Sequence, residues 1–304
     1  MKKTKLLLLG GVGVIAITFL FGFNMNLIRS FITYGEPSFY KIHAVEIPEQ
    51  VTFAGETISL DTPDLLERMD KELLVNVYWQ SNTVLMIKRA NKYFPIIERI
   101  LEEEGVPNDF KYLALIESGL ENLVSPAGAK GFWQIMRTTG REMGLEVNSN
   151  VDERYHIELS TRVACKYLKK AKERLGTWTL AAASYNRGVS GVRRILETQQ
   201  ADNYYDLLLG TETKRYVFRI LAVKTIVESP ENYGFIVKDA QRYKPFEYRT
   251  IEVDSAITNI ARFSEQMGVN YKTMKIYNPW LIQNHLNNKS RKLYKIALPV
   301  ETGP

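Results

Sequence analysis

The chain has one cysteine, Cys165, among 304 residues, so no disulfide can close within it. Its three histidines, His43, His156 and His285, stand far apart. No HExxH spacing occurs, which disfavours a helical zinc-peptidase site. A GxSxG elbow is also missing, which excludes the usual serine-hydrolase turn. Zinc-finger, helix-turn-helix and RNA-binding signatures are absent, and the lysines and arginines are scattered. The formal net charge of +6 therefore suits attraction to an anionic polymer or surface rather than nucleic-acid recognition. Internal repeats and low-complexity tracts are lacking too. With 45% apolar residues, the chain can bury an ordinary globular core.

Only one long apolar run is present, Leu6 to Phe23, behind Lys2, Lys3 and Lys5. At about 1.5 Å per residue its length is roughly 27 Å, enough for a bilayer core. The basic flank predicts a cytoplasmic tip with everything after Phe23 outside. A cleaved signal peptide is the competing reading, opposed by the lack of a small-x-small site in FGFNMNLIRS. Residues 24–74 read as tether and linker, broken by Pro37, Pro48 and Gly55, with one short strand near Val51 to Phe53.

Apolar periodicity predicts helices over Leu65–Tyr78 and Asn82–Glu104, and another leading to Ser118. Ser160 reads as the N-cap of a helix ending at Leu175, before Gly176. Further helices are expected over Thr177–Tyr185, Ser190–Leu196 and Thr213–Val227. After Pro230 the pattern changes to strand (FEYRTIEV), two short helices and a closing strand (LYKIALP). Residues 75–236 thus form an almost wholly helical domain, and residues 237–304 a small α+β module of βααβ order.

The chemistry concentrates between Ala114 and Met136. In NDFKYLALIESG, Phe110, Leu113, Ala114 and Glu117 share one helical face. A carboxylate on an inward face is costly to ionise, and the negative end of the helix dipole adds to that cost. Such a group can serve as a protonated general acid, as glycosidic bond cleavage requires. A frayed helix end that lets Glu117 reach water past Gly119 is the bland alternative. Glu121, Asp152 and Glu153 are the neighbouring acids, the last two reading as a turn and helix start.

Three blocks in order, ESG, SPAGAKGFWQIM and AAASYNRG (Ala181 to Gly188), extend through STRVACKYL and ETKRYV. Together they resemble the lytic transglycosylases with a lysozyme-like SLT catalytic domain, particularly the membrane-bound D type. Phe132, Ile135, Ser184 and Arg187 depart mildly from that pattern. The resemblance implies a goose-type lysozyme fold. It also implies a single-acid reaction on peptidoglycan glycan strands, without a second carboxylate, a metal or a cofactor. Glu117 would protonate the oxygen between N-acetylmuramic acid and N-acetylglucosamine, then accept the proton of the sugar's 6-hydroxyl as a 1,6-anhydro ring closes. Ser125, Gln134, Met136, Tyr185 and Asn186 match cleft positions of the family, and Glu212 and Tyr216 a later block. Gly128 and Gly131 would allow the backbone to approach a glycan. The implied location is the periplasm, on the outer side of the cytoplasmic membrane. A lysozyme-type hydrolase would need the same acid; an inactive glycan-binding scaffold would not need Glu117, Gln134, Tyr185 and Asn186 together.

The C-terminal βααβ pattern resembles a LysM module, carried by Ile260, Ala261, Phe263, Gly268 and Val269, by Tyr277-Asn278-Pro279, and by Ile296, Leu298 and Pro299. Val253-Asp254-Ser255 stands where that family shows Gly-Asp-Thr. The resemblance implies glycan binding, with a structural or docking role as the alternative.

Overall fold

The computed structural model describes residues 42–300, and the apolar run Leu6–Phe23 lies outside them. Among the described residues, no helix is long and apolar enough to cross a membrane. From Val45 onward the chain forms one unit with two apolar cores.

It opens with an antiparallel hairpin, β1 (Gln50–Phe53) and β2 (Glu56–Ser59), in which Val51 faces Ile58. Gly55 turns it with φ +82, a left-handed conformation that favours glycine. Helix α1 (Pro63–Tyr78) starts with Thr62 as N-cap, its side chain accepting from the Leu65 amide at 3.4 Å. Phe53, Met69 and Leu73 are fully buried, so part of the expected linker belongs to the main core. Two four-residue strands carry too little periodicity to announce a hairpin, and its value lies in what it clamps. Glu56 accepts from the amides of Trp178 and Thr179, at 2.6 and 3.1 Å. Asp109 accepts from the Ala54 amide at 2.7 Å and from Lys224 Nζ at 2.8 Å. The hairpin is thereby bound to the starts of two helices that carry predicted site residues.

Those two are α3 (Phe110–Ser118) and α6 (Trp178–Arg187). Around them lie α2 (Gln80–Glu103), a short α4 (Arg137–Glu142), α5 (Ile157–Leu175), α7 (Val189–Gln199) and α8 (Thr211–Glu228). The bounds follow the predicted ones closely, with one correction. Ser160 is not the N-cap of α5: the helix starts at Ile157, and Ser160 is buried within it, donating to the Ile157 carbonyl at 3.3 Å. A turn at Glu153–Tyr155 sets the start instead, capped by the Asp152 carboxylate. Helix α8 is buried along much of its length and runs against α1, α3 and α6, so it forms the spine of the domain.

The C-terminal part has strands β3 (Tyr248–Val253) and β4 (Tyr294–Pro299), paired antiparallel, and helices α9 (Ile260–Gln266) and α10 (Tyr271–Tyr277). Asn259 and Asn270 cap the two helices. Ile296 and Leu298 point inward onto Ile260 and Met274, as alternation in a half-buried strand requires. This core also takes in Val151 from the helical domain, bridged to Leu281. The Asp152 amide donates to the Trp280 carbonyl at 2.9 Å, and Lys292 reaches Glu153 and Glu146 at 2.7 and 2.8 Å.

Candidate active site

Helix α3 places Glu117 in its last turn, behind the fully buried Phe110, Leu113 and Ala114. The helix stops at Gly119, whose φ of +61 is left-handed. Glu121 is therefore not carried onto the Glu117 face; it pairs with Arg89 at 2.5 Å. Ser118 donates to the Phe132 carbonyl at 2.9 Å, pinning the helix end to the loop that follows.

That loop is braced from within. The Ser125 hydroxyl accepts from the Ala129 amide at 2.9 Å, and Gln134, at φ +46, donates to the Gly131 carbonyl at 2.8 Å. Gly131 has a different reason to be glycine from the one the sequence suggests. A Cβ there would lie 2.1 Å from the Arg154 carbonyl oxygen, so the close approach is protein backbone on backbone. Trp133 is fully buried and donates to Thr161 Oγ1 at 2.8 Å, which makes it a core residue.

Two tyrosines converge on Glu117 from other helices. Tyr216, buried on α8, donates its hydroxyl to Glu117 Oε1. Tyr185 on α6 lies close enough to feel the Glu117 charge, but its hydroxyl donates to the Trp133 carbonyl at 2.8 Å. Burial raises both phenols well above their ordinary range, and the nearby Glu117 charge adds to this, so both remain donors. Asn186 accepts from Thr213 Oγ1 at 2.8 Å and ties the end of α6 to the start of α8.

The Glu117 carboxyl is itself raised above the ordinary glutamate value. Burial is the main cause, opposed by the Tyr216 hydrogen bond and the positive charge of Arg219, and reinforced by Glu212. Arg219 pairs with Glu212 at 3.0 Å, flanking Tyr216 on the same helix. Arg219 escaped the sequence reading, although its place three residues after Tyr216 puts both on one face. Glu212 points outward, its side chain 63% exposed. Gln134, Met136 and Tyr185 line a cavity of about 510 Å³ together with Tyr167, Gly188 and the first turn of α7. The fold thus joins Glu117, Tyr216, Tyr185 and Arg219 in one cluster. Ser125 and Gln134 have side chains engaged in loop bonds.

Residues 94–208 match the family model of the transglycosylase SLT domain. The chain carries an SLT domain. Within its matched span fall Glu117, Ser125, Gln134, Met136, Tyr185 and Asn186, whereas Glu212 and Tyr216 follow it. Residues 249–302 match the soluble lytic transglycosylase C-terminal LysM-like domain. The chain is 26% identical over 234 residues to membrane-bound lytic murein transglycosylase D of Escherichia coli strain K12. The match is the same for the strain O6:H1 protein. It covers 74% of this chain and 50% of each relative, so this chain spans about half of their length. Among solved structures, an inactive mutant of lytic transglycosylase Slt from Pseudomonas aeruginosa is similar at 23% identity and TM-score 0.37, covering 50% of this chain and 26% of that one. The 70 kDa soluble lytic transglycosylase of Escherichia coli is similar at 16% and TM-score 0.42, covering 61% and 34%. The SLT domain here is mainly helical, and a small LysM-like βααβ module follows it.

Proposed function

We propose that the protein is a peptidoglycan lytic transglycosylase, cleaving the β-1,4 bond between N-acetylmuramic acid and N-acetylglucosamine without water. The observation that carries the reading is a half-buried acid, Glu117, held by the Tyr216 hydroxyl inside an SLT domain. Tyr216 occupies Oε1, so the transferable proton sits on Oε2. That proton goes to the glycosidic oxygen as the bond to the muramoyl anomeric carbon breaks. The resulting carboxylate, stabilised by Tyr216 and Arg219, accepts the proton of the 6-hydroxyl as that oxygen bonds to the same carbon. Both half-steps return the enzyme to its starting state. Tyr185, Met136 and Gln134 would line the cleft beside the acid, with Ser125, Asn186 and Glu212 shaping its rim.

Mass analysis of muropeptides released from purified sacculi tests the reaction. Products one water lighter than hydrolytic fragments are expected. Reducing ends carrying that water would make the enzyme a lysozyme. The relatives' name and the basic-flanked run Leu6–Phe23 support a periplasmic enzyme held at the cytoplasmic membrane. The LysM-like part at residues 237–304 is assigned to strand affinity rather than chemistry.

A further inference from the structure

A second cavity, of about 480 Å³, lies where the LysM-like module meets the SLT domain. Its volume falls in the range of about 300–1,000 Å³ typical of small-molecule sites, which favour domain junctions. Neither Glu117 nor Tyr216 lines it. The outer face of the β3–β4 sheet forms one wall, through Tyr248, Thr250, Lys295 and Ala297. Tyr93, Phe132 and the start of α5 form the other.

The lining is aromatic, and its rings are fixed against one another. Phe246 stacks on Tyr277 at 4.6 Å, and Trp280 on Tyr294 at 5.5 Å. Trp280 and Tyr294 are buried and Lys92 lies over Phe246, so the half-buried Tyr277 is the member of these pairs that offers a ring face to a ligand. The charges around the cavity already have opposite-charge partners. Glu158 pairs with Arg99 at 2.6 Å and accepts from Tyr248, and Arg162 holds Glu103 and Glu104. Lys292 is satisfied by Glu146 and Glu153, and Lys295 stands opposite Glu252 in the sheet. An ionic ligand would find no uncompensated partner here and would lose its hydration. A cationic one would also meet rings already faced by lysines, Tyr93 and Phe246 by Lys92 and Tyr155 by Lys130. What fits is a neutral ligand with flat apolar faces and hydroxyl or amide edges. The C–H face of a sugar ring packs on π faces, and its edges reach Tyr, Thr and Asn122.

We infer that this junction cavity is a second, non-catalytic site for the neutral N-acetylhexosamine units of a glycan strand. The inference rests on the proposed activity for the choice of sugar. Phe132 connects the two sites: its ring lines the cavity and its carbonyl holds Ser118, next to Glu117. A strand held here is anchored on the segment that fixes the end of α3.

The intact chain carrying Glu117→Gln, titrated calorimetrically with tri-N-acetylchitotriose, should show a cleft site and a junction site. Tyr277→Ala, which removes a stacking face, should weaken the junction event about tenfold. Thr250→Trp, at an exposed strand position, should fill the cavity and abolish that event. With Glu117 intact, both variants should cleave short soluble fragments at the parental rate. A single binding event in the parent, or a second that survives Thr250→Trp, would overturn the inference. So would displacement of the trimer from the junction by the acidic dipeptide Ala-Glu, which would make the cavity a peptide site. Absence of cleavage by the parent would bear on the proposed activity, which the titration does not need.

Discussion

At the residue scale the proposed reaction turns on how one carboxyl is held. Glu117 lies where protonation is favoured by burial, and Tyr216 moderates this by donating to the ionised form. Glu117→Gln keeps the shape and an acceptor for Tyr216 but cannot give up a carboxylic proton. Turnover should fall by about 10²–10⁴-fold, measured as muropeptide release, because Glu212, the acid that Glu117 feels, points outward and pairs with Arg219. The same variant carries a stability signature. A raised folded pKa means that the folded state holds its proton more tightly than the unfolded chain does. Stability from this group is then full below the unfolded value and is lost as pH rises through the raised folded value. Glu117→Gln should therefore melt higher than the parent at neutral pH, with the gap closing as the parent is acidified. A gap independent of pH would contradict a raised pKa at Glu117. For the parent, kcat/KM should decline as pH rises through the raised value. Tyr216→Phe removes a bond that lowers it, so this decline should move to higher pH while turnover drops roughly 10–100-fold, the worth of a hydrogen bond to a charged group.

At the scale of elements, the loop after α3 shows how backbone close approach and substrate access can be confused in a sequence. Gly128 and Gly131 both have positive φ, +84 and +78, yet their surroundings differ. An added Cβ at Gly128 meets nothing within 4 Å, whereas at Gly131 it collides with the Arg154 backbone. Gly128→Ala should cost only the left-handed strain, about 1–2 kcal/mol. Gly131→Ala should cost more, since either the loop or the Glu153–Tyr155 turn must move. Thermal melts should rank them in that order, at about 2–4 °C per kcal/mol for a domain of this size. Equal shifts would mean that the loop yields freely. Periodicity and capping residues made α3, α6, β3 and β4 legible, because each contains its own signal. The hairpin was not, because its pairing is rewarded only after Glu56 and Asp109 meet helix ends far along the chain.

At the scale of the molecule, the LysM-like module is bound to the SLT domain through side chains as well as through Val151. Glu153 is buried, and its Lys292 partner comes from the module. Lys292→Met would leave that carboxylate short of a partner. The expected loss lies between about 1 kcal/mol for an exposed pair and about 3–5 kcal/mol for a buried one, as Lys292 is 42% exposed. Limited proteolysis near residues 236–247 should speed up in this variant while the Glu117–Tyr216 pair stays in place. Unchanged melting and proteolysis would show that Val151 and the backbone contacts hold the junction alone.

Local chemistry by itself determined the helical class, the inward face bearing Glu117 and the βααβ order of the C-terminal part. These rest on spacing within a few turns of chain, where periodicity and caps act. Only the tertiary structure decided that Tyr216, ninety-nine residues away, donates to Glu117, and that Tyr185 spends its hydroxyl on the Trp133 carbonyl. It alone set Arg219 beside the acid and formed an aromatic cavity where the two domains meet. Each of these depends on elements brought together by burial of apolar surface. That force has no direction, so the sequence shows which residues seek the core but not which neighbours they find there.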